Sequence, residues 1–376
     1  MGLICAVSKK ELMNGLGNLQ NVTKKGGTIA ILSNVLIESI NDGLILTGTD
    51  LEVGLKITIP AQIHEQGTIT IPSKKFFEIV RESGDEYLKI KVKENNWVEI
   101  IAGNSDYNLP GMASEDFPEF PKFNQEGMIE MNAYVFSELI EKTMYALAGE
   151  TENVYSLTSI LFEKEIKDGL GYLRMISSDG HRLSIMEKDV DAEIDKLNLN
   201  EVTLIPKKGI QELRKFCEKK DRISVCFEEN KMVLVSPDSI MIIRLQKGQF
   251  PLYRAIVDTV QIENPINIER IPFLESLKRI NIFTDDVYHM IQISIENNKI
   301  ILTSQNEEEG TAKDELEVIY QDEPLKLGFN CRYFIDTLQV MESDRINAYI
   351  NNNESPCLIQ SDDDAGFISV IMPMHI

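Results

Sequence analysis

The chain has 376 residues, enough for two or three domains that each bury a core, and its 43% hydrophobic and 26% charged content is that of an ordinary globular protein. A formal net charge of −22 excludes a surface coated evenly by nucleic acid, so any grip on phosphate must use a segregated subset of the 38 basic residues. No run approaches the roughly 18 apolar residues of a membrane helix, and the start from Met1 to Lys10 is too short in its apolar part for a signal peptide, which predicts a cytoplasmic protein with no membrane partner.

The five cysteines, at 5, 217, 226, 331 and 357, form no C-x-x-C pair and read as buried reduced thiols. None of the four histidines pairs with another at metal-ligand spacing, so neither a metal nor a cofactor is expected. Ala6 stands where a myristoylation motif beginning Met1-Gly2 needs Ser or Thr.

In chain order, a first helix is predicted from Ser8, with Leu12, Leu16 and Leu19 on one face, followed by a loop carrying Lys24 and Lys25. Alternating β-branched sequence over Leu44 to Asp50 predicts a strand. Thr68 to Val80 reads as a strand running through Pro72 into a second helix, and Trp97 to Ala102 as another strand. After the turn Asp116-Phe117-Pro118-Glu119-Phe120 the order repeats. A helix from Asn132 carries Phe136, Leu139, Ile140 and Met144, Leu173 to Asp179 reads as a strand, Val202 to Leu213 runs from strand through Pro206 into a helix, and Lys231 to Val235 is again a strand. A similar turn, Gln249-Phe250-Pro251-Leu252-Tyr253, precedes a third pass. There the helix near Glu269 carries Phe273, Leu274, Leu277 and Ile280 with Pro272 in its first turn, Ile300 to Asn306 is a strand, Leu325 to Asp336 runs through Asn330 into a helix, and Ile368 to Met372 closes the chain.

Three elements recurring in one order at intervals near a third of the chain mark tandem domains, not a short-period solenoid. The expected fold is α+β: three tandem similar domains, each with two helices packed on antiparallel sheet, at 1–126, 127–260 and 261–376.

The basic residues follow the repeat. Lys74, Glu78 and Arg81 share a face of one second helix, and Lys208, Glu212 and Lys215 repeat that spacing in the next, with Lys207 and Arg214 beside them. The third second helix offers Arg332 followed by Asp336, and the first helices add Lys9, Lys10, Lys142, Lys278 and Arg279. The carboxylate runs Glu307-Glu308-Glu309 and Asp362-Asp363-Asp364 fall in predicted loops away from the helices. A solvated helix face explains any single helix, but gathered on equivalent helices these cations can make one positive surface on an acidic protein. With no aromatic interleaving or base-reading module, such a surface would attract the DNA backbone without reading sequence.

Several stretches, in order and spacing, resemble the bacterial sliding clamp family, the beta subunit of DNA polymerase III. They are Leu46-Thr47-Gly48-Thr49-Asp50-Leu51-Glu52, Ile71-Pro72-Ser73-Lys74-Lys75-Phe76-Phe77, Ser178-Asp179-Gly180-His181-Arg182-Leu183, Phe250-Pro251-Leu252-Tyr253-Arg254, Gly328-Phe329-Asn330 and Val370-Ile371-Met372-Pro373-Met374-His375-Ile376. The resemblance runs from end to end. It implies a non-catalytic processivity factor of the replicative polymerase, a head-to-tail homodimer closed as a ring around double-stranded DNA. The implied DNA lining is Lys24, Lys25, Lys74, Arg81, Lys207, Lys208 and Lys215, and the implied dimer contact joins Tyr107 and Leu109 to Ile282 and Phe283 of the other copy.

The resemblance further implies a hydrophobic pocket that docks short motifs of the polymerase III catalytic subunit, the clamp loader and other proteins with a clamp-binding motif. Its matching positions are Leu157, Gly180, His181, Arg182, Leu183, Pro251, Ile256, Asn330, Tyr333, Val370, Ile371, Met372, Pro373 and Met374. Val154, Ala255 and His375 stand where the family commonly has Arg, which changes the expected polar rim.

An enzyme is the rival reading, with Asp179 and His181 as an acid/base pair and Ser177 or Ser178 as nucleophile. Residues so close on one strand and turn do not converge on a reacting atom, and no G-x-S-x-G elbow, third glycine of a dinucleotide loop, or G-K-[ST] phosphate loop is present. No catalytic residue is therefore expected. An acidic scaffold that binds proteins but never DNA is the third alternative.

Overall fold

A computed structural model describes residues 2–23, 29–125, 127–149, 155–285, 287–306 and 310–375. In the first domain the order is β1 (Ile4–Ser8), α1 (Lys9–Leu19), β2 (Asn34–Ile40), β3 (Gly43–Thr49), β4 (Val53–Pro60), β5 (Gln62–Glu65), β6 (Thr68–Pro72), α2 (Ser73–Glu82), β7 (Tyr87–Val92), β8 (Trp97–Ala102) and β9 (Ser105–Pro110). The second contains β10 (Ile129–Asn132), α3 (Ala133–Glu141), β11 (Ser159–Lys167), β12 (Leu170–Ser178), β13 (Arg182–Val190), β14 (Leu204–Pro206), α4 (Lys207–Cys217), β15 (Arg222–Glu228), β16 (Lys231–Val235), β17 (Ser239–Arg244) and a short α5 (Tyr253–Val257). The third runs β18 (Ile266–Glu269), α6 (Arg270–Ile280), β19 (Met290–Glu296), β20 (Lys299–Asn306), β21 (Gly310–Glu317), β22 (Leu325–Asn330), α7 (Cys331–Val340), β23 (Arg345–Tyr349), β24 (Cys357–Gln360) and β25 (Phe367–Ile371).

The helices start where local chemistry directs. Ser8 Oγ accepts from the N–H of Glu11 at 3.2 Å, Asn132 Oδ1 from Tyr134 at 2.9 Å and Asn330 Oδ1 from Arg332 at 2.9 Å, each satisfying a donor of the first turn. Pro72 and Pro206 end their strands immediately before α2 and α4. On α1 the buried residues Leu12, Gly15, Leu16 and Leu19 form one stripe. Gly15 lets this helix press on the sheet, since a Cβ there would lie 2.8 Å from Leu46 Cδ1. The similar Phe-Pro turns diverge: Pro251 leads into α5, whereas among the described residues no helix directly follows Pro118.

The chain forms two compact units: one of Met1–Phe136, Lys196–Asn198 and Lys208–Leu245, the other of Ser137–Asp195, Leu199–Lys207 and Gln246–Ile376. The first unit holds a five-stranded sheet, β5-β1-β7-β8-β9, and an eight-stranded sheet, β10-β15-β16-β17-β4-β3-β2-β6. In the latter, four strands of the first domain join four of the second where Val53–Ile57 pair antiparallel with Ser239–Ile243. The second unit repeats that device in the sheet β14-β11-β12-β13-β25-β24-β23-β18, where Arg182–Met186 pair with Phe367–Ile371, and adds the sheet β21-β20-β19-β22. Its core gathers Leu161, Ile176, Leu183, Ile185, Tyr253, Leu358 and Val370 from both contributing domains. No edge is left at these two junctions, because each domain's outermost strand is capped by a neighbour's.

Candidate functional site

In the first unit, α2 points Phe76 and Val80 into the core and leaves Lys74 and Arg81 exposed, as the spacing predicts. Each cation has a carboxylate nearby: Lys74 Nζ is 3.8 Å from Glu78 Oε1, and Arg81 Nε is 2.8 Å from Glu82 Oε1. A hydrogen bond from Lys75 is the main cause that holds the Glu78 carboxyl below its usual value. Along α4, Lys208 pairs with buried Asp50, and Lys215 Nζ lies 2.7 Å from Glu212 Oε1. Glu212 is therefore not the solvated partner expected from its spacing: like Ile210, Leu213 and Phe216 of the same helix it is buried, and it is neutralised by Lys215.

A cleft of about 430 Å³ separates α1 from the end of α4, lined by Asn14, Asn18, Lys215, Lys219 and Lys220. Sequence reasoning passed over Lys219 and Lys220; their doubled lysine just past the helix was the available signal. Lys207 is half-buried at the start of α4, while Lys24 and Lys25 lie outside the described residues.

Two expectations about charge are corrected. Lys142, assigned to the basic helix faces, is buried, and Asp364, assigned to a solvated acidic loop, is buried against it. Each neutralises the other, which a charge count along the chain does not reveal. The run Glu307-Glu308-Glu309 lies outside the described residues.

In the second unit several of the residues expected to form the pocket lie together. Across β13 and β25, Arg182 partners Ile371 and Leu183 partners Val370. The N–H of Met372 then donates to the His181 carbonyl at 2.9 Å, and that of Met374 to the Gly328 carbonyl at 2.8 Å, laying the C-terminal segment beside the strand that ends at Asn330. Gly180 has φ +90°, and among the described residues a Cβ there would meet only Leu157 Cδ1, at 3.8 Å. Ile256 packs on the cluster that contains Leu183 and Val370, and Pro251 accepts from the N–H of Tyr253 at 2.7 Å beside it.

Arg182 is the polar centre of this group of residues. Its guanidinium lies 4.5 Å from the Tyr333 ring centroid and donates to Asp179 at 2.9 Å, Asp336 at 2.7 Å and the Tyr145 carbonyl at 2.7 Å. Burial alone would lower its affinity for the proton, but the hydrogen bond to Asp336 and the charges of Asp179 and Asp336 reverse this and secure the cation. The Asp179 carboxylate is fully employed, since Oδ1 accepts from the N–H groups of His181 and Arg182 and Oδ2 from Arg182 Nε. Val154 lies outside the described residues; Ala255 and His375 are exposed.

Tyr107 lies half-buried on β9, an end strand of its sheet, and Leu109 is buried. Ile282 is 69% exposed beside half-buried Phe283, followed by Val287 and Tyr288, also exposed. The expected site residues thus fall into three groups of distinct chemistry: cations on α2 and α4, apolar residues gathered around Arg182, and exposed apolar side chains at Ile282, Val287 and Tyr288.

Three family models, for the N-terminal, central and C-terminal domains of the DNA polymerase III beta subunit, match residues 3–121, 130–252 and 261–375. The chain belongs to this family. A beta sliding clamp of Chlamydia pneumoniae is 29% identical over 370 residues, covering 98% of each chain, and one of Haemophilus influenzae is 28% identical over 379 residues, covering 99% of each. The sliding clamp of Bartonella birtlesii, solved bound to griselimycin, superposes with a TM-score of 0.92 at 26% identity over 100% of both chains. As a sliding clamp of DNA polymerase III the chain is an accessory subunit of replication, not an enzyme. Among the described residues no helix is long and apolar enough to cross a membrane.

Proposed function

We propose that two copies of this chain close head to tail into a ring that encircles double-stranded DNA, slides on it without sequence preference, and tethers the polymerase III catalytic subunit, the clamp loader and other motif-bearing proteins. Its place of work is the cytoplasm. The division is 1–126, 127–260 and 261–376. The DNA-facing cations are Lys74, Arg81, Lys207, Lys208 and Lys215, with Lys24 and Lys25. The pairing of Lys74, Arg81, Lys208 and Lys215 with carboxylates fits a loose, exchangeable hold, and a closed ring needs no tighter one.

The copies would meet through Tyr107 and Leu109 of one and Ile282 and Phe283 of the other, a heterologous contact that closes on rotation. The exposure of Ile282, Val287 and Tyr288 supports this reading, since water penalises such a patch until a partner covers it.

One observation carries the tethering role: the Met372 to His181 hydrogen bond brings the C-terminal segment against the Gly180 turn, so that Leu157, Leu183, Val370 and Met372 frame one docking site with Arg182 at its centre. The decisive experiment loads the protein onto nicked circular DNA with its clamp loader and then linearises the circle. Retention on the circle and loss from the linear form is the expected result; equal loss from both overturns encirclement.

A further inference from the structure

The turn after β3 and the turn after β12 are built by the same hydrogen bonds. In the first, Thr49 Oγ1 accepts from Leu51 N–H and donates to the Val53 carbonyl, both at 3.0 Å, while Asp50 Oδ1 accepts from the N–H groups of Glu52 and Val53 at 3.0 and 2.8 Å. In the second, Ser178 Oγ accepts from Gly180 N–H at 3.0 Å and donates to the Arg182 carbonyl at 2.7 Å, while Asp179 Oδ1 accepts from His181 and Arg182 at 2.9 and 3.0 Å. The following strand pairing also matches. Gly54 partners Ile242 as Leu183 partners Val370, and Arg244 N–H donates to the Glu52 carbonyl at 2.8 Å as Met372 does to that of His181. Leu51 therefore stands in the first turn where Gly180 stands in the second.

Both residues have left-handed backbone, φ 75° at Leu51 and 90° at Gly180. Glycine adopts this freely, but leucine is disfavoured because its Cβ crowds the following carbonyl. Leu51 is also 50% exposed, so burial does not explain why the position holds leucine. Its side chain lines a cavity of about 260 Å³ in the first unit, with Pro118, Phe120 and Ile242. A Cβ on Gly54 would lie 3.1 Å from Phe120 Cε2, so the Phe120 ring takes up the space that the side chain of Leu183 has in the second unit. At Gly180, by contrast, a Cβ would meet only Leu157 among the described residues, at 3.8 Å.

We infer that Leu51, with Phe120, narrows the first unit's counterpart of the peptide pocket, and that the missing side chain at Gly180 leaves the second unit's pocket wider, so that each copy captures one motif and not two. This rests on the pocket reading given under Proposed function. Leu51 and Gly180 are then the pair of residues that sets the number of docking sites per subunit.

The test measures binding of a fluorescently labelled clamp-binding peptide from the cognate polymerase catalytic subunit, with solution mass and melting temperature as folding controls. Gly180→Ala and Gly180→Leu impose the same backbone penalty, and the geometry of Leu51 shows that such a turn accepts leucine. Gly180→Ala should keep the peptide, whereas Gly180→Leu should weaken it by roughly tenfold or more, because the new side chain takes the place of an apolar group of the peptide. Equal binding by the two overturns the inference. Leu51→Gly combined with Phe120→Ala should raise the bound peptide from one toward two per chain; a stoichiometry that stays at one also overturns it. If the unaltered protein takes up no peptide, the pocket reading itself fails, an outcome distinct from either of these.

Discussion

Lys142 Nζ lies 2.7 Å from Asp364 Oδ1, and the two side chains are 4% and 2% exposed. The ammonium also donates to the Val340 carbonyl at 2.5 Å, and the carboxylate accepts from the N–H groups of Glu342 and Ser343. This buried pair ties the end of α3 to the loop that precedes β25, the strand that holds Val370 and Ile371. Removing one partner leaves the other charged and dry. Lys142→Met is expected to destabilise the second unit by about 3 to 5 kcal/mol, read as a lowered urea midpoint.

The same pair predicts a pH dependence. Burial raises the proton affinity of Asp364, but the hydrogen bonds from Lys142, Ser343 and Glu342 outweigh it and hold the carboxyl below its ordinary value. A carboxyl depressed in the folded state stabilises fully above its unfolded value of about 3.9, and the contribution is lost as pH falls through the folded value. The difference in melting temperature between the unaltered protein and Asp364→Asn should therefore be full near about pH 7 and shrink as acid is added toward about pH 3. A difference independent of pH would refute the assignment.

For the basic helices, charge reversal at Lys74, Arg81 or Lys215 should weaken binding to short duplexes alike for every sequence. The slope of log affinity against log salt should fall by roughly 0.9 for each phosphate contact removed. Anisotropy across a salt series checks it, and a change confined to one duplex sequence would contradict sequence-blind contact.

Deleting Met372 to Ile376 removes the segment hydrogen-bonded to His181 and Gly328. Peptide binding is expected to disappear while the solution mass stays that of the dimer. Unchanged peptide affinity would move the pocket elsewhere.

Burial pushes the thiols of Cys5, Cys217, Cys331 and Cys357 up to about 12. Since the thiolate is the reacting form, the folded protein should resist thiol reagents at neutral pH and react when unfolded. Mass spectrometry after brief labelling measures this.

Much of the fold was legible because its signals are local. Ser8, Asn132 and Asn330 cap helices by reaching a donor two or three residues on, and Pro72 and Pro206 mark the passage from strand to helix. Trp97–Ala102 and Lys231–Val235 are strands with the bounds that alternation predicts. The exposed positions of Lys74 and Arg81 followed from helical spacing, but the burial of Glu212 did not, because spacing assigns a face without saying what packs over it.

By itself the sequence determined the threefold order of elements, the cations on equivalent helices and the motifs of the pocket, since each depends on residues near one another in the chain. Only the tertiary structure decided that β4 pairs with β17 and β13 with β25, so that neighbouring domains share a sheet, and that Lys142 and Asp364 meet out of water. It also set Leu51 at the place of Gly180. Strand partners and buried charges are chosen by free energy summed over distant segments, where a pairing is rewarded only once both sides have arrived, and no local window contains that sum.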